Sequence, residues 1–163
     1  MADIEQLQYI LDKQLGWISA ADSRLSLVLP LSTAMLGALA VYATKPSVWT
    51  LMAGIPAAFA IFFLCISIIF CACAAFPRIG GTKGSLLFFG GIVSRDISRF
   101  RASVKAAQKD DFHDDLIEQC HINAQIASTK FTWVKRAMAS MLVAMLPWAL
   151  AVFQFYGVKN GAI

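Results

Sequence analysis

Charge is what this sequence has least of. Only 15% of its 163 residues are Asp, Glu, Lys or Arg, against about 25% in an ordinary soluble domain. Between Lys45 and Arg78 there is no charged residue at all. With 58% hydrophobic residues and a mean hydropathy of +0.65, a water-soluble globule is excluded and the chain reads as one membrane-embedded domain. Cysteine is also scarce. Cys65, Cys71 and Cys73 lie inside an apolar run and Cys120 stands alone, so neither a disulfide framework nor a zinc site is indicated, and free thiols in such settings behave as small hydrophobes. The two histidines, His113 and His121, are too far apart in sequence for a shared metal face of the i, i+4 kind. No Ser/His/Asp or paired-carboxylate arrangement supports catalysis, and the chain is expected not to be an enzyme, with no metal and no cofactor. No cleavable signal is expected either, because the segment before the first apolar run is acidic and amphipathic.

What is present is three long apolar runs. Residues 25–43, 49–76 and 137–156 each reach the roughly 20 residues that cross a bilayer as helix. They predict an all-α membrane protein with three transmembrane helices. Residues 44–48 form a proline-marked turn that makes the first two spans an antiparallel hairpin. Residues 1–24 and 77–136 supply a helical bundle on one side, and 157–163 a short tail on the other. The bundle side carries Lys13 and Arg24, together with Arg78, Lys83, Arg95, Arg99, Arg101, Lys105, Lys109, Lys130, Lys135 and Arg136; the opposite side keeps only Lys45 and Lys159. The positive-inside rule then places the N-terminus and the 77–136 segment in the cytoplasm and the C-terminus outside.

Within the cytoplasmic parts, Ile4, Leu7, Leu11, Leu15 and Ile18 recur at helical intervals. Val93, Ile97, Phe100, Val104 and Ala107 predict a second stripe, ended by Asp110 and Asp111, which cap the helix that follows. Phe112, Leu116, Cys120, Asn123, Ala127 and Lys130 share a face that begins apolar and turns polar. With no proline between Asp114 and Leu146, that helix is expected to continue into the third span. Asp110, Asp111, Asp114, Asp115 and Glu118 read as a solvated cluster at its start. The cluster Gly80-Gly81-Thr82-Lys83-Gly84-Ser85 has the wrong order for a phosphate loop and reads as a connector, followed by an aromatic turn. Pro30, Pro56 and Pro147 fall one to a span, and Ala34/Ala38 and Ala53/Ala57 offer small faces for close helix approach.

Two cationic positions open the spans: Arg24 after Asp22, and Lys130 with Lys135 and Arg136. On spacing alone both obey the charge rule for helix ends. Together with Gln119, His121, Asn123, Gln125 and the rings of Phe88, Phe89 and Trp133, they also supply what a small nucleotide needs: a cation for phosphate, amides for a base edge and a ring for stacking.

Three motifs in order carry a resemblance. An amphipathic helix ends in Ala21-Asp22-Ser23-Arg24 and leads directly into a span. After the second span comes Phe88-Phe89-Gly90-Gly91-Ile92, and then a polar helix with Gln119 and Lys130 leading into the last span. The chain resembles the transmembrane effectors of Pycsar, a bacterial anti-phage system in which a cyclase makes a cyclic pyrimidine nucleotide. Arg24 stands where the family more often has Lys, which keeps the charge and changes its geometry. The resemblance implies an inner-membrane protein that senses cUMP or cCMP from a partner cyclase, then impairs the bilayer as a homo-oligomer; no nucleic-acid polymer is involved. It assigns Arg24 and Lys130 to the phosphate, and Asp22, Gln119 and Asn123 to ribose or base, beside Phe89. The competing reading is a ligand-independent membrane subunit or a holin-like pore former.

Overall fold

The computed structural model describes residues 3–43, 49–76 and 84–159. The expected turn at 44–48, the glycines before Gly84 and the end of the C-terminal tail lie outside them. Among the described residues five helices follow in order: α1 Ile4–Tyr42, α2 Leu51–Ala75, α3 Phe89–Val93, α4 Ile97–Ala106 and α5 Lys109–Lys159. Among the described residues there is no strand. Three helices, α1, α2 and α5, are long and apolar enough to cross a membrane. The protein is therefore all-α and multi-pass.

Continuity is as expected at both ends. α1 runs without a break from the amphipathic N-terminal stretch through Pro30, and α5 runs through Pro147. The loss of one backbone donor at each proline is tolerated where neighbouring helices pack alongside. The chain divides into two compact units, one of Met1–Ala21 with Pro77–Lys130 and one of Asp22–Phe76 with Phe131–Ile163.

In the second, apolar unit the buried residues of α2 are Ala53, Ala57, Ala60, Leu64, Ser67, Cys71 and Ala74. They alternate at intervals of four and three residues, the seam spacing of coiled coils. α5 repeats the pattern with Val134, Ala137, Met141 and Ala144, and α1 answers with Leu25, Val28, Ser32, Met35 and Leu39. The seam corrects one expectation. Ala34 is exposed and Ala38 only half-buried, because the inward phase of α1 passes through Ser32, Met35 and Leu39 instead. The Ala53/Ala57 face does lie in the packed interior, in a cluster with Leu39, Ala60, Ala151 and Phe155. Apolar residues outside the seam point outward: Leu27, Leu51 and Leu146 are 72%, 83% and 71% exposed. Such a surface is costly in water and natural against lipid.

Polar bonds stitch this seam. Ser67 Oγ donates to the Ala137 carbonyl at 3.0 Å and sits 3.2 Å from Ser32 Oγ, which must then donate to it. Trp148 Nε1 donates to the Met35 carbonyl at 2.9 Å. Interhelical bonds inside membranes average about 0.6 kcal/mol each. Ser67→Ala removes two, so it should lower unfolding stability in detergent by about 1 kcal/mol, read from the midpoint of a denaturing-detergent titration.

In the first unit, Leu7, Gln14 and Ala21 are buried on α1, whereas Leu15 is 48% exposed. The inward phase repeats every seven residues, so the amide of Gln14 takes the place expected for Leu15. The stripe expected over 93–107 is also interrupted. Ser94 ends α3, and Asp96 starts α4 by accepting from Arg99 N at 2.9 Å. That bond, with a second from Ser98, holds the Asp96 carboxyl below its ordinary range. Val93 and Ile97 are left 80% and 73% exposed, and α4 buries no residue at all.

Candidate functional site

The most heavily bonded point of the first unit joins residues thirty apart in sequence. Asp115, on the second turn of α5, turns Oδ2 toward the segment after Gly84. That single oxygen accepts from Ser85 Oγ at 3.0 Å, Leu86 N at 2.8 Å and Leu87 N at 3.2 Å. Ser85 Oγ in turn accepts from Leu87 N at 3.1 Å and Phe88 N at 2.8 Å, with Gln119 Nε2 at 3.4 Å. A loop with no ladder partner for its amides must find acceptors elsewhere, and here one carboxylate and one hydroxyl supply them. Arg95 closes the far end of the loop by donating to the carbonyls of Ser85 and Gly84.

Two glycines permit this closure. Gly84 has φ +106°, in the left-handed region. At Gly91 a Cβ would lie 2.5 Å from the Ser85 carbonyl oxygen, so the short helix α3 can approach the loop only without a side chain. The aromatic turn expected from Phe88-Phe89-Gly90-Gly91 is thus a pinned loop running into one helical turn. It brings the rings of Phe88 and Phe89 to 4.6 Å between centroids and leaves Phe89 61% exposed.

A groove of about 530 Å³ lies beside this node. Ser85 and Arg95 line one side, Ser103 and Ala106 of α4 another, and Asp111, Asp114, Asp115 and Glu118 of α5 the floor. Four carboxylates against one guanidinium, itself engaged with carbonyls, make it a poor seat for a phosphate. None of the six residues expected to bind a nucleotide lines it. Among the described residues no group of three His, Cys, Asp or Glu side chains could hold a metal ion.

Those six residues divide between the units. In the first, Gln119 is buried with its amide toward Ser85, and Asn123 donates to the Gln119 carbonyl at 2.8 Å one turn on. Lys130 is half-buried. Asn123 and Lys130 fall in phase with Leu116, Cys120 and Ala127, as polar members of an otherwise apolar seam. Cys120 Sγ donates to the Leu7 carbonyl at 3.5 Å, and burial pushes its thiol up, so it stays protonated near neutrality. In the second unit Asp22 and Arg24 are exposed, and the Arg24 guanidinium stands 5.3 Å from the centre of the Phe131 ring. Sequence reasoning missed Ser85, Asp115 and Arg95. Asp115 was indistinguishable within its acidic run, and only the paired glycines around Ser85 hinted at a tight loop.

A family model described as the Pycsar effector protein domain matches residues 6–157. The Pycsar effector protein GmPycTM of Gulbenkiania mobilis is 32% identical over 65 residues, covering 40% of this chain and 33% of that protein. The aligned stretch is thus about a third of the relative's length. No solved structure matches the chain.

Proposed function

The chain belongs to the Pycsar effector family, and from that premise we propose that it is a membrane effector of anti-phage defence, switched by a cyclic pyrimidine nucleotide, cUMP or cCMP. The observation that carries this reading is a family match over residues 6–157, which takes in the pinned aromatic loop and all three long apolar helices. The N-terminal unit faces the cytoplasm, where a partner cyclase would deliver the ligand. Arg24 and Lys130 neutralise the phosphate, while Asp22, Gln119 and Asn123 bond ribose or base. Phe89, held out by the Ser85–Asp115 node, offers a stacking surface. The acidic groove beside the node is left out of the phosphate site on charge grounds.

A ligand acts only by binding one arrangement of the helices more tightly than another. The bound form is the one that assembles and breaches the inner membrane, ending the infection with the cell. Calorimetric titration of detergent-purified protein with cUMP and cCMP, against cAMP and cGMP, tests the sensor. One pyrimidine nucleotide should bind selectively. Hydrogen bonds to charged groups contribute about 1.5–3 kcal/mol, so Arg24→Ala and Lys130→Ala should each weaken that affinity by roughly tenfold to a hundredfold. Unchanged affinity in both variants would remove these residues from the site. Binding of none of the four nucleotides by folded protein would favour a ligand-independent membrane subunit.

A further inference from the structure

We propose that the second unit carries a binding site for one anionic phospholipid, in a groove formed by Arg24 of α1 and the outer face of α5 from Phe131 to Leu142. The groove holds about 490 Å³ and is lined by Arg24, Phe131, Thr132, Val134, Lys135, Met138, Ala139 and Leu142. Its chemistry changes along its length. One end has two cations and no acid. The other is entirely apolar, with Val134 as a buried back wall and Met138, Ala139 and Leu142 on the open face.

From Lys135 to Leu142 the helix rises about 10 Å, into the stretch that is apolar enough to cross a membrane. A soluble anion would use the charged end and leave the apolar slot empty. A lipid of no net charge would fill the slot but leave the two cations incompletely neutralised, because any phosphate it carries is already offset by its own cation. A phospholipid with a net negative headgroup satisfies both ends at once, as basic pockets between membrane helices do. Arg24 is preset for this role. Its guanidinium carbon stands 5.3 Å from the centre of the Phe131 ring, at the mouth of the groove, and a guanidinium can give phosphate a planar two-bond contact. Lys135 adds a mobile point charge, and among the described residues it has no ion-pair partner.

Arg24 is also assigned to the nucleotide above, but this inference does not rest on that assignment: Lys135 and the apolar wall belong to the lipid groove alone. The test is native mass spectrometry of detergent-solubilised protein titrated with phosphatidylglycerol or phosphatidylcholine of identical chains, with no nucleotide present. The first phosphatidylglycerol should bind several-fold more tightly than the first phosphatidylcholine. Arg24→Ala and Lys135→Gln should each lower that affinity by about fivefold, the effect of one basic residue near an anionic headgroup. Together they should abolish the preference. Met138→Trp, which fills the slot, should weaken both lipids. Lys135→Gln changes one exposed side chain, so it keeps the test decisive even if Arg24→Ala does not fold. Equal affinity for the two lipids in wild type, or an intact preference in Lys135→Gln, would overturn the proposal. So would complete displacement of the lipid by glycerol phosphate, because the apolar slot would then contribute nothing. A nucleotide titration that fails leaves these outcomes untouched, and the reverse holds too.

Discussion

Asp115→Ala should free the 84–95 loop from α5 and destabilise the first unit by about 3 kcal/mol or more, the largest effect expected outside the apolar unit. The lost carboxylate oxygen accepts three bonds, and bonds to a charged acceptor contribute about 1.5–3 kcal/mol each. Partial exposure of the site argues for the lower part of that range. Leu87 N keeps Ser85 Oγ as a second acceptor, whereas Leu86 N has no other acceptor among the described residues. Hydrogen exchange should show this directly, with the amides of Leu86, Leu87 and Phe88 opening on the order of a hundredfold faster. Asp115→Asn, which keeps an acceptor and loses the charge, should fall between wild type and Ala. Because Phe89 is presented by this loop, the proposed nucleotide affinity should fall in both variants although Asp115 is not assigned to the ligand. Unchanged exchange in Asp115→Ala would mean that Arg95 and the Gly91 approach hold the loop without help.

The contrast between this node and the membrane helices shows what a sequence of this kind reveals. Run length and the absence of charge determine that three helices span, since no water-soluble arrangement hides so much apolar surface. The continuity of α1 and α5 follows from helical periodicity without a breaker. Phase is harder. Leu15 looks like a core residue by spacing, but a helix that packs along one seam for its whole length follows a seven-residue repeat, and Leu7, Gln14 and Ala21 satisfy it better. In the same way Ala34 and Ala38 are small and four apart, yet they sit off the seam that Ser32, Met35 and Leu39 define. Composition treats the five acids at 110–118 as equivalent. Which of them turns inward depends on a loop that arrives from Ser85, and tertiary pairing of that sort leaves no periodic trace. The six residues assigned to the nucleotide come from motif order and chemical type; Gln119 and Asn123 are the pair whose local geometry places them together.

Ala57→Leu should be the most damaging single change in the apolar unit. Ala57 is fully buried among Leu39, Ala53, Ala60, Ala151 and Phe155. The three-carbon enlargement enters a seam where small residues set how closely the helices approach. Overpacking a filled core costs about 1–3 kcal/mol, and the upper end is expected because relief requires moving a helix, not a side chain. Two positions on the same helix serve as controls. Ile55→Leu and Phe59→Leu alter side chains that are 57% and 58% exposed, and each should leave stability within about 0.5 kcal/mol. Two thiols of α2, resolved from the others by peptide mapping, give the readout. Cys71 lies in the seam and is 1% exposed, while Cys65 faces outward. A maleimide reagent in mild detergent should therefore label Cys65 in every variant, but should reach Cys71 only in Ala57→Leu. If Ala57→Leu kept Cys71 protected while Ile55→Leu exposed it, the face of α2 that meets the other helices would have to be reassigned. Protection lost in Ala57→Leu alone would establish the four-and-three seam as the contact that holds the spans together.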